Sequence, residues 1–120
     1  MRRDGATRIA DERKRQVASE GYDVAHDDEH DDGGLAMAAA CYAAPRRIYE
    51  QKDDSGAALV FRDPWPWSED DDKRPYNPNT CAPAPERTNV EQRIRLLEKA
   101  GALCAAEIDR LLRKKRRKKQ

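Results

Sequence analysis

The sequence has no long apolar run and no cysteine pair in metal-binding spacing. No window approaches the roughly 20 apolar residues that a bilayer-spanning helix needs, and the opening MRRDGATRIADERKRQ lacks the apolar core of a signal peptide. We therefore expect a soluble, cytoplasmic protein that makes no membrane contact. The three cysteines, Cys41, Cys81 and Cys104, include no CxxC pair, and their odd number gives no disulfide framework. This cysteine usage favours a reducing compartment.

Large apolar side chains are also scarce. Of the 120 residues, 38% are hydrophobic, 6% are aromatic and 39% are charged, so much of the chain must stay in water. The apolar residues concentrate in the ranges 35–42, 58–67 and 90–112. A core assembled from these ranges is small. We predict one domain over residues 1–113, followed by a basic tail at 114–120.

Three segments have the pattern of helices, and the predicted fold class is all-α. We expect a small three-helix domain with a long irregular middle segment that contains prolines and tryptophans. The helices are expected at about 6–20, 33–44 and 89–113, and residues 45–88 are expected to be irregular. Within that segment, residues 58–61 could form a short strand or an extended segment, because the prolines of the following DPWPW impose extended and turn conformations. Thr88 and Glu91 have the spacing of a capping box, which predicts the start of the last helix near Asn89.

The last helix carries an apolar stripe whose members follow one another at alternating steps of four and three residues. The stripe consists of Val90, Ile94, Leu97, Gly101, Cys104, Ile108 and Leu111. The alanine-rich stretch KAGALCAAE in this helix matches the alanine-rich LAMAAACYA at 35–43, so we expect these two helices to pack closely. Because the stripe is longer than two short helices can cover, we also predict a homo-oligomer.

The first helix places Glu12, Gln16 and Glu20 on one face, because they are four residues apart. Two interpretations stay open. The first is a solvated face of salt bridges to Arg13 and Arg15. The second is a row of carboxylates that faces a site.

Two histidines stand among acids in the stretch EGYDVAHDDEHDD at 20–32. Imidazole and carboxylate groups are ligands for Mg²⁺, Mn²⁺ or Zn²⁺. The candidate metal ligands are His26, Asp27, Asp28 and His30, together with Glu12 or Glu20. The alternative is a structural loop in which a histidine hydrogen-bonds Glu12 or Glu20 and the last aspartates cap the next helix.

The middle segment contains DPWPW, which supplies both tryptophans of the chain. They form either a hydrophobic lid over the helices or a stacking surface for a base. The candidate ligand-binding residues are Trp65, Trp67 and Tyr76 for a base and Arg46, Arg47 and Lys73 for phosphate. The cations of the tail, Lys114–Lys119, are either a solubilising end or a weak contact to nucleic acid that does not depend on base sequence.

Six pieces of the chain, taken in order, resemble a group of small proteins encoded by phages and prophages. They are ADERKRQ, EGY, HDDEH, LAMAAACYA, WPW and KAGALCAAEIDRL, and they span most of the sequence. The opening ERKRQ helix and the closing LLEKAGALCAAEIDRL helix are more distantly similar to the outer helices of MazG-like all-α nucleotide pyrophosphohydrolases. That similarity implies Mg²⁺ bound by carboxylates in ExxE and ExxD spacing, and cleavage of an NTP to NMP and pyrophosphate. The phage resemblance implies the cytoplasm of a host cell.

The sequence departs from the MazG-like pattern at the metal site, because residues 35–43 contain no acid. Metal-assisted phosphoryl chemistry needs several convergent oxygen ligands. We therefore favour a non-catalytic, phage-derived accessory or counter-defence protein that holds a nucleotide or a nucleotide-derived signal. Two alternatives are kept. One is a divergent metal-dependent nucleotide pyrophosphohydrolase, and the other is an inhibitor that binds a host protein through its acidic loop.

Overall fold

The computed structural model describes residues 3–53 and 59–118, and this part of the chain forms four α-helices and two antiparallel sheets. The helices are α1 (Gly5–Ser19), α2 (Val24–Glu29), α3 (Gly34–Ala43) and α4 (Val90–Lys118). The strands are β1 (Glu50–Asp53), β2 (Leu59–Arg62), β3 (Tyr76–Asn77) and β4 (Ala82–Pro83). The prediction of an all-α, three-helix domain is therefore wrong, although the fold is largely helical.

The two sheets lie in the segment that was predicted to be irregular. Strand β1 pairs with β2, with Glu50 opposite Arg62, and β3 pairs with β4, with Tyr76 opposite Pro83. All four side chains of β2 are exposed, including that of Phe61. A hairpin of this kind is closed by local backbone hydrogen bonds rather than by burial of one face. Strand β2 overlaps the short strand or extended segment considered at 58–61, of which residue 58 lies outside the described residues. Strand β1 was not predicted, because its residues EQKD show no apolar alternation.

Helix α2 lies within the stretch that was interpreted as a loop. Asp23 is its N-cap, since the Asp23 carboxylate accepts a hydrogen bond from the backbone N–H of His26 at 2.9 Å. Polar contacts hold this helix in place, because Asp27 is buried and accepts a hydrogen bond from Arg13 of α1 at 2.7 Å. A two-turn helix without an apolar stripe gives no periodic signal in the sequence.

The core lies between α3 and α4, so the predicted packing of the two alanine-rich helices is confirmed. It comprises Leu35, Ala38, Ala39 and Tyr42 of α3 and Leu96, Ala100, Leu103 and Ala106 of α4. Tyr22, Trp65 and Trp67 pack against this cluster from outside. The small side chains of alanine allow the two helix backbones to approach closely, and the aromatic residues then close the edge of the core.

The apolar stripe of α4 faces outward rather than into the core. Val90, Leu97, Ile108 and Leu111 are between 44% and 73% exposed, and Cys104 is exposed as well. The buried residues of α4, among them Leu96 and Leu103, lie on another side of the helix and outside the predicted stripe. Helix α4 is therefore apolar on two sides, and periodicity alone does not reveal which side is buried.

The exposed stripe is interrupted at Gly101, where Ile9 of α1 packs against α4. A Cβ atom at position 101 would lie only 2.4 Å from Cδ1 of Ile9. Glycine at this position therefore permits the close approach of α1, and not that of α3 as the alanine-rich pattern had indicated.

The capping box of α4 lies one residue later than predicted. The Asn89 carboxamide accepts from the backbone N–H of Gln92 at 2.8 Å, and the Gln92 carboxamide accepts from the backbone N–H of Asn89 at 2.9 Å. Helix α4 then continues through 29 residues into the basic end of the chain. None of the helices within residues 3–53 and 59–118 combines the length and apolar character that crossing a membrane requires.

Candidate ligand-binding cleft

A cleft of about 220 Å³ opens where α1, α3 and α4 meet the segment that follows Trp67. Its lining residues are Gln16, Glu20, Tyr22, Tyr42, Trp67, Asp71, Lys73, Lys99 and Leu103. Polar and charged side chains dominate this lining. The α3–α4 core supplies only Tyr42 and Leu103. The cleft therefore offers hydrogen-bonding groups above a small apolar floor.

Glu12 lies next to the cleft and is the centre of a buried ion-pair network. It is bound by Arg15 and Arg95, each with an N···O distance of 2.7 Å, and Lys99 Nζ lies 3.7 Å from its second oxygen. Burial raises the pKa of Glu12, but the hydrogen bonds from Arg15 and Arg95 and the charge of Lys99 outweigh burial, and the pKa falls to about 2. Glu12 is therefore ionised throughout the physiological range and fixes the position of Lys99.

Lys99 is a largely buried cation in the lining of the cleft. Its side chain is 12% exposed. Burial lowers the pKa of Lys99 and so does the charge of Arg95, while Glu12 opposes this effect. An ammonium group that has lost most of its water gains more from an anionic or carbonyl ligand than an exposed lysine does.

Gln16 is the most unusual polar residue of the cleft, because it is 2% exposed and only half of its amide is hydrogen-bonded. Its Nε2 donates to Glu12 at 3.3 Å, whereas Oε1 has no hydrogen-bond partner in the part of the chain that the structure describes. Since a carboxylate only accepts hydrogen bonds, the contact with Glu12 fixes which end of the amide is the acceptor. A buried acceptor without a donor costs about 1–3 kcal/mol.

Aromatic rings form one wall of the cleft. Trp67 and Tyr22 meet edge to face with their ring centroids 6.3 Å apart. Burial raises the pKa of Tyr22 to about 12. The Tyr42 hydroxyl donates to the carbonyl of Asp71 and accepts from the backbone N–H of Lys73, both at 3.1 Å. These contacts hold the segment from Trp67 to Lys73 against α3.

The two histidines support this aromatic wall from behind. His26 stacks on Tyr22 with the ring centroids 4.3 Å apart, and His30 lies 4.9 Å from the Trp67 ring. The tie between this stretch and α1 is made by Asp27 and Arg13, and not by a histidine bound to Glu12 or Glu20 as the structural interpretation expected.

The structure places each predicted carboxylate ligand for a metal in an ion pair with arginine. Glu12 and Glu20 bind Arg15, Asp27 binds Arg13, and Asp28 binds Arg113 and Arg117. Within residues 3–53 and 59–118, no three His, Cys, Asp or Glu side chains are grouped so as to hold a metal ion. The metal site at His26, Asp27, Asp28 and His30 stays a prediction.

Two of the six predicted ligand-binding residues, Trp67 and Lys73, line the cleft. Trp65 packs behind Trp67 with the ring centroids 5.6 Å apart, and its indole N–H donates to the carbonyl of Ser68. The other three lie elsewhere: Arg46 is exposed, Arg47 binds Asp63, and Tyr76 is exposed on β3. The structure therefore combines the two interpretations of the tryptophans, since Trp65 covers the core while Trp67 also faces the cleft.

Gln16, Tyr22 and Lys99 are cleft residues that were not among the predicted site residues. The sequence contained a pattern that could have identified Gln16, because its spacing places it on the same helix face as Glu12 and Glu20. The expected salt bridges of Glu12 and Glu20 to Arg15 are present, whereas Arg13 binds Asp27. Because Glu12 and Gln16 are buried, the face is not solvated as that interpretation expected. No pattern in the sequence marks Lys99, which is one of many cations in α4.

The basic end of α4 carries two kinds of cation. Arg113 and Arg117 bind Asp28 of α2, each at 2.8 Å. The others that the structure describes, at positions 114–116 and 118, are exposed. Lys119 lies outside the described residues. The predicted contact between Lys114–Lys119 and nucleic acid stays a prediction.

Comparison of the chain with protein-family models, with curated proteins and with solved structures finds no match. The resemblance to small phage proteins and the distant similarity to MazG-like enzymes therefore stay predictions.

Proposed function

We propose that the protein is a non-catalytic binding protein that holds a nucleotide or a nucleotide-derived small molecule in the cleft. The observation that carries this proposal is the buried acceptor Oε1 of Gln16, which lacks a donor in the described chain and belongs to a residue of the cleft lining. The cation Lys99 lines the same cleft. Nε2 of Gln16 lies 3.3 Å and Nζ of Lys99 lies 3.7 Å from the same oxygen of Glu12, so one buried carboxylate holds both side chains. A nucleobase edge presents the complementary pair of a donor and an acceptor.

The aromatic wall suits the face of a base. Stacking of a base on an aromatic side chain contributes about 1–3 kcal/mol, and Trp67 is the largest aromatic group in the lining. A volume of about 220 Å³ is below the roughly 300–1,000 Å³ of pockets that enclose a whole drug-sized ligand. The base therefore enters the cleft while the phosphates stay outside it. Lys73, which is exposed at the cleft, is the phosphate ligand in this arrangement.

The ion pairs between carboxylates and arginine favour a protein that binds a nucleotide over one that hydrolyses it. Phosphoryl chemistry of the MazG-like kind uses several convergent carboxylate oxygens, and Glu12 and Glu20 both bind Arg15 instead. The divergent hydrolase and the acidic-loop inhibitor stay alternatives that no specific contact favours. We propose that the protein acts in the cytoplasm of a host cell in a counter-defence role. The proposal also includes a contact with nucleic acid through the basic end of α4.

Calorimetric titration with nucleosides, nucleoside 5′-phosphates and cyclic dinucleotides tests the proposal. We expect saturable binding that Trp67→Leu weakens by about fivefold to 150-fold, which is the equivalent of about 1–3 kcal/mol. Lys73→Ala should weaken the binding of nucleotides but leave the binding of nucleosides unchanged. Lys52→Ala on β1 is the matched control. Circular dichroism verifies that each variant is folded. If no compound of the panel binds, or if Lys52→Ala and Lys73→Ala behave alike, the proposal is wrong.

A further inference from the structure

We infer that the cleft selects guanine over the other bases, with Glu20 and Gln16 as hydrogen-bond acceptors and Lys99 as the donor. All three residues belong to the lining of the cleft. The inference rests on the proposed function, because it names the base that enters the cleft.

The three polar groups are gathered around one buried oxygen, Oε2 of Glu12. Nε2 of Gln16 lies 3.3 Å and Nζ of Lys99 lies 3.7 Å from this oxygen. Nη2 of Arg15 donates to the same oxygen at 2.8 Å and to Oε1 of Glu20 at 2.7 Å. Gln16 and Lys99 are therefore one polar contact from Oε2 of Glu12, and Glu20 is two contacts from it. This spacing is on the scale of the edge of one base.

The described chain leaves hydrogen-bonding capacity unused in each of the three groups. Oε1 of Gln16 is buried and has no donor within residues 3–53 and 59–118. Glu20 accepts from Arg15, but a carboxylate has about four acceptor sites, and the Glu20 side chain is 29% exposed. Nζ of Lys99 lies 3.7 Å from Glu12, which is longer than a direct hydrogen bond. The lining thus presents two acceptors and one donor to a ligand.

Guanine is the base whose edge carries the complementary set of groups. Its Watson–Crick edge has two adjacent donors, N1–H and the 2-amino group, beside the acceptor O6. The edge of adenine has one donor next to the lone pair of N1. Cytosine has one donor and two acceptors, and uracil has a single N–H between two carbonyls. Each of these three bases leaves Glu20 or Gln16 without a donor, and a site built to bind a donor rejects a ligand that lacks it.

The contacts of Glu12 also suggest which group of guanine each residue binds. Gln16 and Lys99 contact the same oxygen, whereas Glu20 reaches that oxygen only through Arg15. N1–H is the central group of the guanine edge. We therefore assign N1–H to Gln16, O6 to Lys99 and the 2-amino group to Glu20. A hydrogen bond to a carboxylate is about twice as strong as one between neutral groups, so Glu20 contributes most to the choice of base.

Calorimetric titration of the full chain with nucleoside 5′-monophosphates tests the inference. GMP should bind about tenfold to 100-fold more tightly than AMP, CMP or UMP. IMP, which differs from GMP only in lacking the 2-amino group, should lose most of this advantage. These comparisons use the wild-type protein, so they do not depend on the folding of a variant. AMP or IMP that binds as tightly as GMP overturns the inference.

The variant Glu20→Gln separates the role of the carboxylate from a general loss of binding. It should abolish the preference for GMP over IMP, while the affinity for IMP stays unchanged. Glu91→Gln at the exposed start of α4 is the matched control and should keep the preference. Circular dichroism verifies that both variants keep their helices. A preference for GMP over IMP that survives Glu20→Gln overturns the assignment of the 2-amino group.

The titrations distinguish failure of this inference from failure of the proposed function. If GMP and AMP bind equally and Trp67→Leu weakens both, the selection of guanine is wrong and the binding of a nucleotide in the cleft stands. If no monophosphate binds, the selection of guanine is overturned together with the proposed function.

Discussion

Replacement of the buried carboxylate of Glu12 by a neutral amide gives a quantitative test of the network beside the cleft. Glu12→Gln keeps the size of the side chain and its acceptor oxygen, but removes the negative charge. Arg15, Arg95 and Lys99 then face one another without the anion that holds them together. We expect the free energy of unfolding to fall, since a buried carboxylate in an ion pair stabilises the folded state only while it is ionised.

The magnitude follows from the pKa of Glu12. A pKa of about 2 in the folded protein against 4.5 in the unfolded chain corresponds to at most about 3–4 kcal/mol, at about 1.4 kcal/mol per pKa unit. Arg15 and Arg95 are 36% and 41% exposed, so solvent screens part of this energy. We therefore expect Glu12→Gln to lower the free energy of unfolding by about 1–2 kcal/mol. Because the pKa is lowered on folding, this contribution is complete above about pH 4.5 and is lost as the pH falls toward about 2.

Urea unfolding at several pH values between about 7 and 2 measures this contribution. The difference in unfolding free energy between wild type and Glu12→Gln should be about 1–2 kcal/mol near pH 7 and should shrink toward zero near pH 2. Using the difference removes the effect of other carboxylates that titrate in the same range. Glu29→Gln at the exposed end of α2 is the control. A difference that does not change with pH would refute the reasoning.

Two further predictions concern α4. Gly101→Ala should lower the unfolding free energy by about 1–2 kcal/mol, since overpacking against Ile9 costs about 1–3 kcal/mol and alanine recovers up to about 1 kcal/mol of helix propensity. Thermal unfolding checks this result, and Ile9→Ala in the same chain should remove most of the effect of the added methyl group. Asn89→Ala should cost about 1 kcal/mol by removing half of the capping box. An unchanged urea midpoint for Asn89→Ala would contradict the assigned cap.

The helices with local signals were predictable from the sequence. Helix α1 was expected at 6–20 and lies at Gly5–Ser19, and α3 was expected at 33–44 and lies at Gly34–Ala43. Helix α4 begins one residue after its expected start but continues past residue 113 to Lys118. Capping residues and apolar periodicity are properties of neighbouring residues, so they are visible before the chain folds.

The misassigned features depend on tertiary structure. The side chains of β2 are all exposed, so burial on one face gives no signal for this strand, and α2 is held by Arg13 from another helix. Helix α4 is apolar on two sides, and the choice of the buried side depends on where α1 and α3 pack.

The cleft was predictable only in part. Trp67 and Lys73 were identified as ligand-binding residues, and Glu20 was identified as a metal ligand. Gln16 and Lys99 were not predicted, because they lie together only where both contact the buried carboxylate of Glu12. Spacing within one segment predicts which residues share a helix face, but it does not predict which polar residue loses its water when distant segments pack.

A nuclear magnetic resonance titration of the ¹⁵N-labelled protein with nucleotides tests the central claim most directly. We expect saturable shifts of the Gln16 side-chain amide and the Trp67 indole N–H, with smaller changes at the exposed Tyr76 and along β1. The Gln16→Met variant, which lacks the acceptor, should bind the same nucleotide more weakly. Shifts confined to the basic end of α4, or no shifts at all, would contradict a binding site in the cleft.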